Sequence, residues 1–317
     1  MLGCGGTLGA AWTLAALLEI ERTLGWDVRT ASVIMGTSAG AELAALLGTG
    51  VSVSAMLDAA LGAPSADPVL ARHFASPTPS FPPWPRAPLG STKLAFQRLR
   101  ARLPSLSAPS KPPPWLTALA ALAPSGGGDP KFLDAVVDAR LPDGGWATHP
   151  AAYIVAVDVE TGARVAFGKD GGVGAIATRP ALRDAVRASW AIPGWFPAVN
   201  VEGRRYVDGG VASPTSLDLL IDEGLDEVVV VAPMASREQG VRRGLGRIEG
   251  AVRRAMTATL DAEVARIEAC GVRVMCALPN GEELAMMGPN FMDRTRRLSV
   301  LEASLRSTRR HLQGAWS

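Results

Sequence analysis

A serine flanked by glycines, set between a strand and a helix, constrains this chain more than any other feature. Ala31-Ser32-Val33-Ile34-Met35 is short, apolar and β-branched, the pattern of a buried strand. Gly36-Thr37-Ser38-Ala39-Gly40 ends it, and a helix is expected from about Ala39. Gly36 and Gly40 fit a turn so sharp that side chains beside the serine would clash. The turn lifts the serine Oγ out of the sheet edge and sets it at the positive end of the following helix, which gives the G-x-S-x-G pattern its chemical meaning. Loop, helix, strand, sharp turn and helix in this order open an α/β fold.

The rest of the chain extends that reading. Gly9 to Leu24 is apolar nearly all round, as a helix buried beside a sheet should be. Asp129 and Pro130 predict the start of a helix running to Arg140. Tyr153–Val159 with Arg164–Phe167, and Val199–Val201 with Arg204–Val207, read as hairpins around Thr161-Gly162 and Glu202-Gly203. Helices are expected over Pro180–Trp190 and Pro214–Glu223, and a buried strand over Glu227–Ala232. A long helix through Ile248, Val252, Met256, Leu260, Val264 and Ile267 follows, then a strand over Val272–Ala277 and a closing helix over Arg294–Leu312.

Prolines break residues 62–129, where only Ser91–Leu103 and Trp115–Leu122 look helical. This stretch is read as an insertion or lid within a single domain spanning residues 1–317. Met1-Leu2 leaves almost no room for a strand before Gly3, so the first strand is very short or the chain starts inside the natural protein.

A net charge of +2 gives no reason to expect nucleic-acid binding. Cys4, Cys270 and Cys276 have neither disulfide nor metal-ligand spacing. The apolar runs are interrupted by Glu19 and Glu42, and no basic-then-apolar leader opens the chain, so a cytoplasmic location is expected. Oligomeric state is not legible.

Gly3-x-Gly5-Gly6-x-x-Gly9 opens the first helix, and the backbone amides of such a loop can converge on an oxyanion. It is not the dinucleotide fingerprint, since Leu8 takes the place of the third glycine, and no Gly-Lys-Ser/Thr follows to make a phosphate-binding P-loop. A serine nucleophile needs a base. His73 and His149 lie in Pro- and Gly-rich stretches. His311 would complete the Ser, Asp, His order of an α/β-hydrolase, but the elbow comes too early for that fold, and a solvated helix surface suits His311 better. Asp208, at the end of a strand and before Gly209 and Gly210, is a carboxylate candidate whose pKa its surroundings would have to tune.

Gly5-Gly6-Thr7-Leu8-Gly9, Gly36-Thr37-Ser38-Ala39-Gly40, Ala188-Ser189-Trp190-Ala191-Ile192-Pro193-Gly194-Trp195-Phe196-Pro197 and Asp208-Gly209-Gly210 together resemble the patatin-like phospholipases, in the family's order. The resemblance covers about residues 2–60 and 150–235. It implies a three-layer α/β/α sandwich with a mainly parallel sheet, a Ser38–Asp208 catalytic dyad, and an oxyanion hole from the Gly5, Gly6 and Thr7 loop. It further implies hydrolysis of phospholipid or other lipid esters of the phospholipase A or lysophospholipase type, with no metal or cofactor. Leu8 stands where the family commonly has Lys or Arg, and Cys4 where a glycine is common. The rival reading is a catalytically weak lipid- or protein-binding module on the same fold. Arginines at 242, 243, 247, 253 and 254 and at 294, 296, 297, 306, 309 and 310, with Phe81, Trp84, Phe96 and Trp115 in the insertion, suggest peripheral contact with an anionic membrane.

Overall fold

The structure, a computed structural model, describes residues 1–76, 126–176, 179–238 and 245–315, side chains at 245 and 311–315 excepted. The expected Ser91–Leu103 and Trp115–Leu122 helices, the four insertion aromatics, Arg242, Arg243 and the His311 side chain fall outside that description.

Helix α1 (Gly6–Leu24) leads through a 3-10 turn to strand β1 (Ile34–Thr37) and helix α2 (Ala39–Gly48), followed by α3 (Val53–Leu61) and α4 (Pro68–Ala75). After α5 (Asp134–Asp138) come β2 (Ala152–Asp158), β3 (Arg164–Phe167), α6 (Leu182–Ser189), β4 (Val199–Val201) and β5 (Arg204–Asp208). Strand β6 (Glu227–Val231), α7 (Leu245–Glu268), β7 (Arg273–Ala277), α8 (Gly281–Met287) and α9 (Arg297–Ala315) complete it.

The centre of the sheet is a strand reduced to its minimum. Leu2 forms parallel bridges to Gly36 on one side and Val231 on the other. Its amide donates to the Met35 carbonyl (2.8 Å), and its carbonyl accepts the Thr37 amide (3.0 Å). One residue therefore joins the parallel β6–β7 pair to the parallel β1–β2 pair, while β3, β4 and β5 add antiparallel pairings beyond β2. The parallel part is the core and the antiparallel part the flank.

Side-chain alternation along the strands makes two cores, one per face. Ile34, Ile154, Ala156 and Val231 pack with α1, α2, α3, α6 and α9. Met35, Tyr153, Val155, Val228 and Val230 pack on the other face with Leu260 and Ile267 of α7. Every residue of β2 is buried, as a strand covered on both faces must be. This is the α/β/α sandwich.

Several elements differ from the sequence reading. Strand β1 starts at Ile34 rather than Ala31, because Val28–Thr30 turns under an Asp27 cap and pairing partners exist only from Ile34 on. The expected helix over Pro214–Glu223 is only a 3-10 turn at Leu217–Leu220, since Ser216 sits at φ 59° and the Ser213 hydroxyl takes the Thr215 and Ser216 amides. Asp129 does cap Pro130–Leu133, but as a 3-10 turn leading into α5. Helix α8, closed by an Asn280–Glu283 capping box, had not been expected.

The edges of the insertion are also packed structure. Helix α4 lies against α3 and α5. The Gly128 amide donates to the Trp195 carbonyl (2.9 Å), and a Cβ on Gly126 would overlap the Trp195–Phe196 backbone.

Candidate active site

Strand register explains how two residues 170 positions apart in a numbering of 317 can meet. One edge of β2 is lined by β3, which pairs with both Val155 and Ala156. The other edge is shared: β1 ends with Thr37 opposite Val155, and β5, running the opposite way, ends with Asp208 opposite Ala156. Two strand ends thus face each other across consecutive positions of β2. Ser38 follows the first, and Asp208 closes the second. The Ser38 side chain lies close enough to the Asp208 carboxylate to favour its charged form.

The elbow is strained and tightly built. Ser38 adopts φ 58°, ψ −124°, a conformation L-residues rarely hold, costing on the order of 1–3 kcal/mol. A Cβ on Gly36 would overlap the Gly40 carbonyl, and one on Gly40 would overlap the Leu2 carbonyl. Gly209 has Thr37 Cγ2 and the Val155 carbonyl 2.9 Å from the position of a Cβ, and Gly210 has Cys4 and Asp208 Oδ1 at 3.0 Å. The four motif glycines are therefore where the elbow, the Leu2–Gly6 loop and the Asp208 turn press together.

Asp208 is 4% exposed, and its Oδ1 accepts the Gly210 amide at 2.7 Å. Burial raises its pKa to about 7, with the Ser38 hydroxyl and the Gly210 amide pulling it back down. Burial and the nearby Asp208 push the Cys4 thiol up, so it stays protonated and inert.

In the glycine loop, the amides of Gly3, Cys4 and Leu8 donate to the carbonyls of Val231, Pro214 and Phe291. Those of Gly5 and Gly6 have no acceptor among the described residues. Gly6 needs its glycine: φ is +55°, and a Cβ would meet Phe291 Cδ2 at 2.6 Å. Leu8 is fully buried in the core, so its side chain contributes nothing to the loop's mouth. Thr7, also buried, lines a cavity of about 250 Å³ together with Glu42, His73, Trp190 and Arg297.

Ser189 lies within the Ala188–Pro197 block, where its sequence context signals no role of its own. Its hydroxyl accepts the Ser38 amide (2.8 Å) and donates to the Val155 carbonyl (2.6 Å). It ties the Ser38 backbone to the strand that sets the register, and it occupies the Ser38 amide. Only its place in that block signalled it.

The described histidines are engaged elsewhere. His73 Nε2 lies 2.8 Å from Glu42 Oε1, both buried. His149 Nδ1 accepts the Ala151 amide while Nε2 donates to the Ala31 carbonyl. Arg253, counted with the basic patch, is 5% exposed and belongs to the interior: it pairs with Glu249 and donates to the Pro233 carbonyl (2.6 Å). Pro233 in turn packs on Gly5 and Gly9.

A family model described as patatin-like phospholipase matches residues 1–221. Among solved structures, VipD from Legionella pneumophila is similar at 15% identity over 97% of this chain, with a TM-score of 0.39; this chain spans 66% of the length of that one. With the match covering well over half of the sequence and taking in the glycine loop, the elbow and the Asp208 turn, the chain belongs to the patatin-like phospholipase family of lipid acyl hydrolases.

Proposed function

We propose that the protein cleaves carboxylic esters of lipids, of the phospholipase A or lysophospholipase type, through an acyl-enzyme on Ser38 with Asp208 as the base. The observation that carries this reading is the meeting of the β1 and β5 ends on β2, which sets Ser38 beside a buried carboxylate of near-neutral pKa. A base with that pKa can take the serine proton near neutral pH and return it to the leaving alcohol. Attack on the ester carbonyl places negative charge on its oxygen, and the Gly5 and Gly6 amides, with the Thr7 end of α1, are the donors for it. Water then attacks the acyl-enzyme carbonyl, Asp208 accepts its proton and passes it to the Ser38 oxygen, and the fatty acid leaves.

Fluorophosphonate labelling, read by peptide mass, tests the nucleophile. The wild type should label at Ser38, and Ser38→Ala and Asp208→Asn should each lose nearly all hydrolysis of a soluble ester. Because the pair acts as a unit, the double variant should be little worse than either single one. A folded wild type that neither labels nor releases fatty acid from phospholipid, lysophospholipid or triacylglycerol vesicles would overturn the proposal in favour of a binding module.

The same reading includes reversible contact with an anionic lipid surface. Supporting it are Arg247 and Arg254, exposed on the first turns of α7 beside the 65% exposed Ile248. These turns lie near the glycine loop, through Arg253 and Pro233.

A further inference from the structure

The turn after Asp208 is held from a helix outside the residues that the family model matches. Glu263, on α7 and 1% exposed, turns one carboxylate oxygen toward this turn: Oε2 accepts the Thr215 hydroxyl and the Leu217 amide, each at 2.9 Å. Oε1 accepts Arg164 Nη1 at 2.9 Å, and Arg164 also grips Asp218 with both terminal nitrogens, at 2.6 and 2.7 Å. Arg266 adds a second cation to Asp218 at 2.8 Å. Arg164 offsets part of the cost of burying Glu263, whose carboxyl is still pushed up by burial and by Asp218, and the bonds of Glu263 fix Ser216 in the left-handed conformation without a glycine there.

What this turn touches gives it a consequence. The Thr215 carbonyl accepts the hydroxyl of Thr37, the residue before the nucleophile (3.3 Å). The neighbouring Pro214 carbonyl accepts the amide of Cys4, the residue before the oxyanion glycines (2.8 Å). At its start, the Ser213 amide donates to the Gly209 carbonyl (3.2 Å), one residue past the base. One short segment is therefore bonded beside all three parts of the reaction centre.

We infer that Glu263 is a positioning residue for the ester hydrolysis proposed above, setting the relative placement of Ser38, Asp208 and the Gly5–Gly6 amides through the 213–217 turn. The inference rests on that functional reading. It assigns to α7, by sequence an ordinary long helix, a part in the chemistry: the helix holds the turn, and the turn holds the geometry. A displacement of about 1 Å among reacting groups can cost roughly 100-fold in rate. Glu263 touches no reacting atom, so its loss should lower turnover and leave substrate affinity nearly alone.

The experiment compares wild type, Glu263→Ala, Glu263→Gln and Thr215→Val on a soluble p-nitrophenyl ester, with the fluorophosphonate labelling rate at Ser38 measured in parallel. For Glu263→Ala, kcat and labelling rate should fall ~10- to 100-fold with KM within about 2-fold. Glu263→Gln, which keeps an acceptor for Thr215 and Leu217, should recover most of that loss. Thr215→Val deletes one hydroxyl without disturbing the charges, and should show a smaller fall in kcat with KM unchanged; it decides the matter should Glu263→Ala not fold. Wild-type kcat and labelling rate in folded Thr215→Val, or a change confined to KM, would overturn the inference. Failure of the wild type itself to label would instead remove the functional reading, and the inference with it.

Discussion

Asp208 carries the site's clearest pH signature. Its carboxyl has an ordinary value of 3.8 and is raised to about 7 by burial, so between those values the folded protein holds a proton that the unfolded chain has released. Stability should therefore be greatest at the acid end of that window, fall as pH rises, and level off above about pH 7. Asp208→Asn keeps an acceptor for the Gly210 amide and has nothing to ionise, so it should escape that fall. Thermal melts at pH 5 and pH 8 check this: the variant's advantage over wild type should be larger at pH 8, and a pH-independent difference would contradict it. In the wild type, kcat/KM should rise through pH 7 to a plateau as the base loses its proton. Ser38 stands out in sequence on its G-x-S-x-G elbow, whereas Asp208, at a strand end before two glycines, is joined to it only by the family resemblance. Ser189 does not stand out, since a serine that bonds backbone 151 residues away leaves no local pattern.

At the scale of elements, α4 changes the picture of the Pro-rich stretch. Its proline content suggested a departure from the core, yet Asp67 caps the helix and Leu70 and His73 point inward. His73 pairs with Glu42, one turn after Ser38, and stacks on Phe132. Burial lowers the His73 pKa, but the Glu42 carboxylate outweighs it and the net shift is upward. The pair's contribution is then full below the ordinary histidine value and is lost as pH rises through the higher folded value. His73→Ala leaves buried Glu42 without its hydrogen-bonded partner, with the Arg297 charge nearby, which should cost ~3 kcal/mol. Urea unfolding at pH 6 and pH 9 measures this, with the larger loss expected at pH 6. An equal loss at both would show that packing, not charge, is what His73 supplies.

Across the whole molecule, the arginines that look like one basic surface in sequence are divided by the fold. Arg309 lies with Glu19, Arg22 and Thr23 near the far end of α1. Arg247 and Arg254 lie on α7 on either side of Arg253, whose guanidinium reaches the Pro233 carbonyl next to the glycine loop. Thr7 and Arg22 are 15 residues apart on α1, about 22 Å at 1.5 Å per residue. That exceeds the Debye length of about 8 Å at physiological salt, so Arg309 is screened from Arg247 and Arg254, whereas Arg297 at the start of α9 lines the cavity beside Thr7. Each arginine near an anionic surface is worth ~1 kcal/mol. Arg247→Ala with Arg254→Ala should therefore weaken co-sedimentation with anionic vesicles ~10-fold or more, in a salt-dependent way, whereas Arg306→Ala with Arg309→Ala should change it little. The reverse result would move the docking face to the other end of the molecule. Among the described residues no helix is long and apolar enough to cross a membrane.

The amino-acid sequence by itself determined the strand–elbow–helix opening, the glycine loop, the two hairpins and the closing α/β unit. In each of these the governing forces are local: side-chain periodicity, glycine at turns that exclude a Cβ, and caps within a few residues. Tertiary structure alone decided three things. It made Leu2 a complete central strand, because its partners at Gly36 and Val231 lie far along the chain. It turned the expected helix after Asp208 into a strained turn, because Glu263 supplies bonds that a helix would have made for itself. And it buried Arg253 and His73 against partners 20 and 31 residues away. Propensity sees only neighbours in sequence, whereas a buried charge or an unpaired amide is satisfied by whatever the fold brings beside it.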